Sequence, residues 1–254
     1  MMIALTRAVG PRIVECALSY RPREAIDLRL AMEQHGGYED YLRSRGVRVV
    51  ALPAEADLPD SVFVEDTAVV VDEAAAMTRP GLEARRREVD SVAAALAPYR
   101  RLESLAAPAT LEGGDCLRIG RAFYVGLSRR TNAAGVAGLA RILEPLGYTV
   151  RPVPVVGCLH LKTAVTYLGG NTVLANRSWV DMAPFAAYDV VDAPVTEPDA
   201  ANALTIGEEV LLPASFPVTA ALLEARGFRV RAIDMSELQK AEAGLTCCSV
   251  LFDG

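Results

Sequence analysis

Gly114-Asp115-Cys116-Leu117-Arg118-Ile119-Gly120-Arg121-Ala122-Phe123-Tyr124-Val125 reads as a polar anchor, a short apolar strand, a two-residue turn and a second strand. Gly120-Arg121 is a turn of the kind that joins antiparallel strands. Related units recur along the chain, and such self-similarity organises a fold more strongly than any single element. Glu65-Asp66 leads into an apolar strand through Val71, a turn at Asp72-Glu73, and Ala74 to Met77. A third unit starts at Lys162-Thr163 and turns at Gly169-Gly170, and a fourth starts at Ala201-Asn202 and turns at Gly207-Glu208. A truncated fifth runs from Cys247-Cys248-Ser249 to Phe252. The anchors Asp66, Asp115, Thr163, Asn202 and Cys248 recur at intervals of roughly 40 to 50 residues, a repeat period.

Helical spacing of apolar residues follows several units: Leu82 to Leu96 after the first, Val136 to Leu146 after the second, and Val218 to Ala225 after the fourth. The truncated fifth unit needs one more strand, which Met2 to Thr6 supplies, with a helix near Glu24 to Arg45 behind it. The last strand is therefore expected to pair with the first. Five ββαβ-like units, spanning residues 1–254 as one domain, predict a five-fold pseudosymmetric α/β propeller; an unrelated αβ sandwich is the alternative. In the closed ring, Asp66, Asp115, His160, Asn202 and Cys247 meet around one central cavity.

Composition narrows the function. Of 254 residues, 52% are hydrophobic and 23% charged, which suits a globular core. No apolar run reaches the length of a membrane span, and Met1 to Arg7 lacks the pattern of a signal peptide. The expectation is a cytoplasmic protein without membrane contact. A net charge of −6 without a block of like charge argues against nucleic acid as a partner. Five scattered cysteines form no C-x-x-C pair, and two histidines are too few for a structural zinc site. Neither a metal nor any other cofactor is expected.

Free thiols remain, and Leu245-Thr246-Cys247-Cys248-Ser249 is where one could react. On a strand, adjacent cysteines face opposite sides, so one packs into the wall while the other faces the cavity. The loop at Gly244 favours Cys247 for the cavity, although a cysteine taken by itself is usually a small buried hydrophobe. His160 sits between Leu159 and Leu161, where a satisfied core histidine is equally natural. If the chemistry needs a group titrating near neutrality, His160 rather than His35 is the candidate. Carboxylates come from Asp60 to Asp66 and from Glu112-Gly113-Gly114-Asp115. Buried acids need a cation. With no lysine or metal pattern to neutralise them, these suggest that the ligand carries the charge, and guanidinium offers paired donors to carboxylates. Arg79 and Arg130 each close a hairpin; they are either surface charge or a clamp for a carboxylate at the ligand's other end.

These stretches together resemble the dimethylarginine dimethylaminohydrolase family of the guanidino-modifying superfamily. The resemblance runs through Leu58 to Asp66, Thr78-Arg79-Pro80-Gly81, Glu112 to Asp115, Arg130-Thr131-Asn132, Leu159 to Lys162, Ala200-Ala201-Asn202, and Met235 to Leu238 leading into Thr246 to Ser249. It implies a five-bladed pentein propeller and hydrolysis of N-methylated arginine to citrulline and methylamine or dimethylamine. It makes Cys247 the nucleophile, His160 the general acid and base, and Glu112 the group that orients His160. Glu65 and Asp66 are then guanidinium ligands, and Phe63 lines the pocket. Asp60, Arg79 and Arg130 hold the amino-acid end, Leu18 belongs to a lid, and Ala241 is a further substrate contact. The implied partner is a small guanidino amino acid, with a homodimer left open.

Two other readings share the fold. A hydrolase of free arginine or another guanidino compound would use the same residues with a different pocket width. A non-catalytic ribosome-binding module is of another class, and fold alone does not decide function. The coexistence of Cys247, His160 and Glu112 at matching repeat positions distinguishes an enzyme from it.

Overall fold

A computed structural model describes all 254 residues. Fifteen strands form five separate three-stranded sheets. The first sheet along the chain contains β1 (Met2–Arg7) and β2 (Arg48–Leu52). It is followed by β3 (Ala68–Val70), β4 (Ala74–Met77) and β5 (Arg101–Ser104), then by β6 (Cys116–Ile119), β7 (Ala122–Leu127) and β8 (Thr149–Pro154). Next come β9 (Val165–Gly169), β10 (Thr172–Ala175) and β11 (Asp189–Asp192), then β12 (Leu204–Ile206), β13 (Glu209–Pro213) and β14 (Arg229–Ile233). The final strand, β15 (Val250–Asp253), returns to β1.

Every sheet has the same topology: an antiparallel hairpin whose second strand pairs in parallel with a third. In the closing sheet β15 runs antiparallel to β1, with Met2 opposite Asp253, and β1 runs parallel to β2. A parallel return needs a crossover. Helices α1 (Leu28–Ser44), α2 (Glu88–Leu96), α3 (Ala133–Leu143) and α5 (Pro217–Glu224) supply four of them, while α4 (Leu161–Ala164) and α6 (Ser236–Gln239) are single turns. The fourth crossover departs from the expected ββαβ unit: between β10 and β11 there is only a 3₁₀ turn at Ala183–Phe185. That stretch, Asn176 to Tyr188, carries Pro184 in a short connection and no run of helical spacing.

Local chemistry sets these boundaries. Asp27 accepts from the Leu30 amide at 3.0 Å to cap α1, and Asn132 accepts from the Gly135 amide at 2.8 Å to cap α3. Gly120 and Gly207 turn two hairpins with a φ of 60° at each, a region that costs glycine nothing. The middle strand β4 is buried throughout, as a strand with neighbours on both edges and packing on both faces must be. The apolar core is divided into five clusters, one at each seam between adjacent sheets. The largest joins α1 to β13 and to the segment leading into Cys248, so it closes the ring.

The feature that positions the site is a short helical turn ahead of the first strand of each hairpin. These turns span Val64–Thr67, Gly113–Asp115, Leu161–Ala164, Pro198–Ala201 and Thr246–Cys248. Neighbouring turns pack on one another around the axis. Glu65 and Asp66 therefore lie one step before the strand expected to begin with them. Cys247 and Cys248 are likewise in a 3₁₀ turn, and the strand-alternation argument for their opposite facing does not hold there. They still diverge, because successive residues of a 3₁₀ turn point about 120° apart: Cys248 is buried in the ring-closing core and Cys247 is partly exposed. No helix is long and apolar enough to cross a membrane.

On α1, His35 is buried with its Nε2 unpartnered and Nδ1 3.8 Å from Glu39. Burial holds its pKa below the ordinary 6.5, against the pull of Glu39. The unfolded chain then takes up a proton that the folded state resists, so stability contributed by neutral His35 is present above about 6.5 and lost as pH falls below it. In urea unfolding, His35→Phe is expected to lose less stability than the unmodified protein between pH 7 and pH 5.5; equal losses would exclude His35 as the source.

Candidate active site

The turn at Gly113–Asp115 and its flanking Glu112 face the turn that begins after His160. Glu112 is fully buried, and its Oε2 lies 2.7 Å from His160 Nε2. Asp66 Oδ1 stands 3.8 Å from the same nitrogen and accepts from the Gly114 amide at 3.0 Å. Asp115 holds the next residue in place, its Oδ1 accepting from the Leu161 amide at 2.9 Å while Ser128 donates to Oδ2 at 2.6 Å. His160 is thus set by carboxylates from two other sheets. Burial by itself would lower its pKa, but Asp66 and the hydrogen bond that His160 donates to Glu112 outweigh that and raise it to about 9. The same pairing holds Glu112 below the usual range despite its burial.

Arg85 is the second centre. It is 4% exposed, and its Nη1 donates to Asp66 Oδ2 at 2.7 Å while its Nε and Nη2 meet Glu88. Its Nη2 also reaches the carbonyls of Asp60 and Phe63 at 3.4 and 3.3 Å, so one guanidinium ties the 60–66 segment to the base of α2. Burial opposes the charge, but Glu88, Asp66 and Glu112 keep Arg85 firmly protonated. Asp66 is held far below the normal carboxylate range: burial raises it, but His160 and Arg85 dominate in sum. Glu88, where burial prevails over Arg85, rises to about 7.

Cys247 is held from both sides. Thr246, its neighbour, donates from Oγ1 to Glu65 at 2.8 Å and accepts from Asn202 Nδ2 at 3.0 Å. The Gly244 amide donates to Cys247 Sγ at 3.4 Å. Burial, with Glu65 and Asp66 adding to it, pushes the thiol up to about 12. The two catalytic candidates respond oppositely to one field, since negative surroundings favour imidazolium and disfavour thiolate.

The remaining expected residues divide. Asp60 is buried and accepts from the Ala17 amide at 3.1 Å. Phe63 and Ala241 are buried in the same apolar cluster, against which Leu18 and Cys247 pack. Arg130 is buried, 3.4 Å from Glu112 Oε1, with its Nη2 donating to Ser19 Oγ at 3.3 Å. Glu65 is not free: Lys162 Nζ is its direct ion-pair partner. The expectation that the acids have no protein cation is therefore overturned, because Lys162 neutralises Glu65 and Arg85 neutralises Asp66. Arg79 is also corrected in its place. Its Nη1 donates to the Ala109 carbonyl at 3.1 Å and its backbone bridges to Leu111, with no ion pair to the central acids.

Arg85 and Lys162 are the cations of this centre whose pairing sequence reasoning missed. Arg85 belongs to Arg85-Arg86-Arg87, a run that reads as a solvated helix face. Glu88, three residues on, was the only local hint of a partner. Lys162 entered only as the start of the third unit and the end of the Leu159–Lys162 stretch. Even so, the centre keeps an excess of acid: Asp60, Glu65, Asp66, Glu88, Glu112 and Asp115 against Arg85, Arg130, Lys162 and His160. Ligand atoms of Asp66, Glu112 and His160 lie within 4.8 Å of one another. Arg85, Arg130 and the Gly114 amide already engage those carboxylates, which leaves a cationic organic group a better match than a bare metal ion.

Two clefts flank this centre. One is lined by Tyr20, Leu159, Trp179, Asp199, Asn202 and Gly244, and the other, across the Glu65–Lys162 pair, by strand starts of all five sheets. Segment 17–21 lies against the centre: the Ala17 amide donates to Asp60, Leu18 packs on the cluster of Phe63, and Ser19 accepts from Arg130.

A family model described as N,N dimethylarginine dimethylhydrolase, eukaryotic, matches residues 17–175. The N(G),N(G)-dimethylarginine dimethylaminohydrolase of Streptomyces coelicolor is 40% identical over 97% of this chain and 95% of its own. The solved structure of the corresponding enzyme from Pseudomonas aeruginosa, a cysteine-to-serine mutant complexed with citrulline, superposes with a TM-score of 0.94 at 34% identity, covering 98% of each chain. The N-terminal domain of ArgZ, an arginine dihydrolase from cyanobacteria, has the same fold at a TM-score of 0.88 and 18% identity, over 99% of this chain and 98% of that domain.

Gly114 leaves no room for a side chain. A Cβ there would stand 2.6 Å from His160 Nδ1 and 2.9 Å from Asp66 Oδ1. Gly114→Ala is expected to displace the imidazole and cut turnover by at least ~100-fold, the scale of a misplaced catalytic group, while circular dichroism stays unchanged. Full activity in this variant would show that the imidazole position is not critical.

Proposed function

The chain belongs to the dimethylarginine dimethylaminohydrolase family, and on that premise we propose that it hydrolyses N-methylated arginine to citrulline and an alkylamine, with Cys247 as nucleophile. The observation that carries the reading is the Glu112–His160 pair at 2.7 Å, buried within an acid-rich centre beside the turn that bears Cys247.

The substrate guanidinium enters as a cation and offsets the excess carboxylate charge. Burial is the main cause of the raised Cys247 pKa and Glu65 and Asp66 add to it; a substrate cation offsets the acids' share, so the thiol gives its proton to solvent when substrate is bound rather than before. The thiolate attacks the guanidinium carbon, making a C–S bond and a tetrahedral centre. Imidazolium His160, stable at neutral pH, gives its proton to the substituted nitrogen as the C–N bond breaks, and methylamine or dimethylamine leaves. Neutral His160 then takes a proton from water, whose oxygen attacks the same carbon. The C–S bond breaks, the hydroxyl proton of the tetrahedral centre passes to the departing thiolate as the C=O bond of citrulline forms, and His160 is left protonated for the next turnover.

Asp66 and Glu65 provide the negative surroundings of the guanidinium, and Phe63 supplies an apolar wall. At the amino-acid end, Asp60 suits the α-ammonium. For the α-carboxylate, Arg85 and Arg130 are the better pair: both approach Glu112, whereas Arg79 is turned to Ala109. Leu18 and Ala241 close the apolar side.

Citrulline release from N-methylarginine, N,N-dimethylarginine and arginine, by the unmodified protein and by Cys247→Ser, tests this. Release from the methylated compounds, abolished in the variant, is expected. Release from arginine alone would move the substrate, and undiminished release by Cys247→Ser would remove Cys247 from the chemistry.

A further inference from the structure

Glu242 has a φ of 60°, one of two non-glycine residues in the chain with a positive φ. A side chain is strained there, and such strain persists only where surrounding interactions hold it. The holding interactions are visible. Glu242 Oε1 accepts from three successive backbone amides, those of Ser19 at 2.9 Å, Tyr20 at 2.5 Å and Arg21 at 2.6 Å, and Oε2 accepts from Ser19 at 3.0 Å. Consecutive amides converging on one anion form a backbone nest. The Arg21 guanidinium adds an ion pair to Asp199 on the same side.

The segment so gripped covers the active centre. Just before it, the Ala17 amide bonds to Asp60, and Leu18 packs in the cluster that contains Phe63 and Ala241. Ser19 takes the hydrogen bond from Arg130. Two residues beyond Glu242, the Gly244 amide donates to Cys247 Sγ. One carboxylate thus joins the cover to the loop that touches the nucleophile.

We infer that Glu242 is a positioning residue that latches segment 17–21 closed over the bound substrate by seating its carboxylate in the amide nest of Ser19, Tyr20 and Arg21. It acts through that segment and touches no reacting atom. The inference rests on the proposed function for its kinetic consequence, but the latch itself is a property of the substrate-free protein. Opening is needed to admit substrate, because Asp60 and Arg130 are committed to the cover when it is shut. The carboxylate then favours the closed state after binding.

Two variants and two readouts test this. Glu242→Gly removes the carboxylate and relieves the strained φ, so it folds without the penalty another residue would carry; Glu242→Gln keeps an acceptor and removes the charge. Amide exchange at Ser19, Tyr20 and Arg21, read in substrate-free protein, is expected to accelerate at least ~10-fold in Glu242→Gly and less in Glu242→Gln, in line with the greater strength of charge-assisted bonds. KM for the methylated arginine is expected to rise ~10-fold in Glu242→Gly, with kcat within a factor of about three, the pattern of lost uniform binding. Unchanged exchange at these amides would overturn the latch. Faster exchange with an unchanged KM would overturn its role in the reaction. If the unmodified protein releases no citrulline from any methylated arginine, the proposed substrate fails while the exchange readout still decides the latch.

Discussion

Arg85 and Asp66, paired at 2.7 Å near the axis of the ring, are the interaction on which the rest of the site depends. Five turns point inward, and three of them or their flanks bring carboxylates or a histidine to the same buried volume. Acids so placed cannot stay ionised unless cations accompany them, and removing one partner from such a pair costs about 3–5 kcal/mol. Arg85 binds Asp66, Glu88 and two carbonyls of the 60–66 segment at once. Lys162 plays the corresponding part for Glu65. With these two in place, the geometry around His160 becomes affordable for the fold.

The same arrangement separates the two reactive groups. Imidazole and thiol lie in one negative environment, which stabilises a protonated base and suppresses an ionised acid. At neutral pH the free protein therefore holds a charged His160 and a neutral Cys247, burial being the larger cause for the thiol. A guanidinium cation is the kind of ligand that releases the thiol while leaving the imidazolium ready to protonate a departing amine. Selectivity for a cationic substrate then follows from the electrostatics of activation as well as from shape.

Much of this was legible before the structure. Hairpin turns at Gly120 and Gly207, the recurrence of polar anchors, and the need for Met2 to Thr6 to complete the last unit gave the closed five-fold ring. The same register placed Asp66, Asp115, His160, Asn202 and Cys247 around one cavity; in the structure Asp66 lies 3.8 Å from His160, Asp115 accepts from the Leu161 amide, and Asn202 bonds to Thr246 beside Cys247. What escaped was set by contacts between distant residues. Arg85 is one of three adjacent arginines, and only its pairing across the turn with Asp66 distinguishes it from Arg86 and Arg87, which are less buried. Arg79 matched a motif and a hairpin position, yet its guanidinium turns to a neighbouring carbonyl. Strand alternation was the wrong basis for separating Cys247 from Cys248, because a 3₁₀ turn precedes the strand, although the outcome was the same. The crossover from β10 to β11 lacks a helix for a reason already present in its composition.

The central claim is that buried carboxylates keep His160 protonated at neutral pH. The chain has two histidines, so a histidine-selective NMR titration of the free protein reports both, and His35→Phe assigns them. His160 is expected to remain imidazolium through neutrality and lose its proton as pH rises through about 9, with a lower midpoint in Glu112→Gln. A His160 midpoint at or below the ordinary value of about 6.5 would contradict the account, since no proton would then be held for the departing amine.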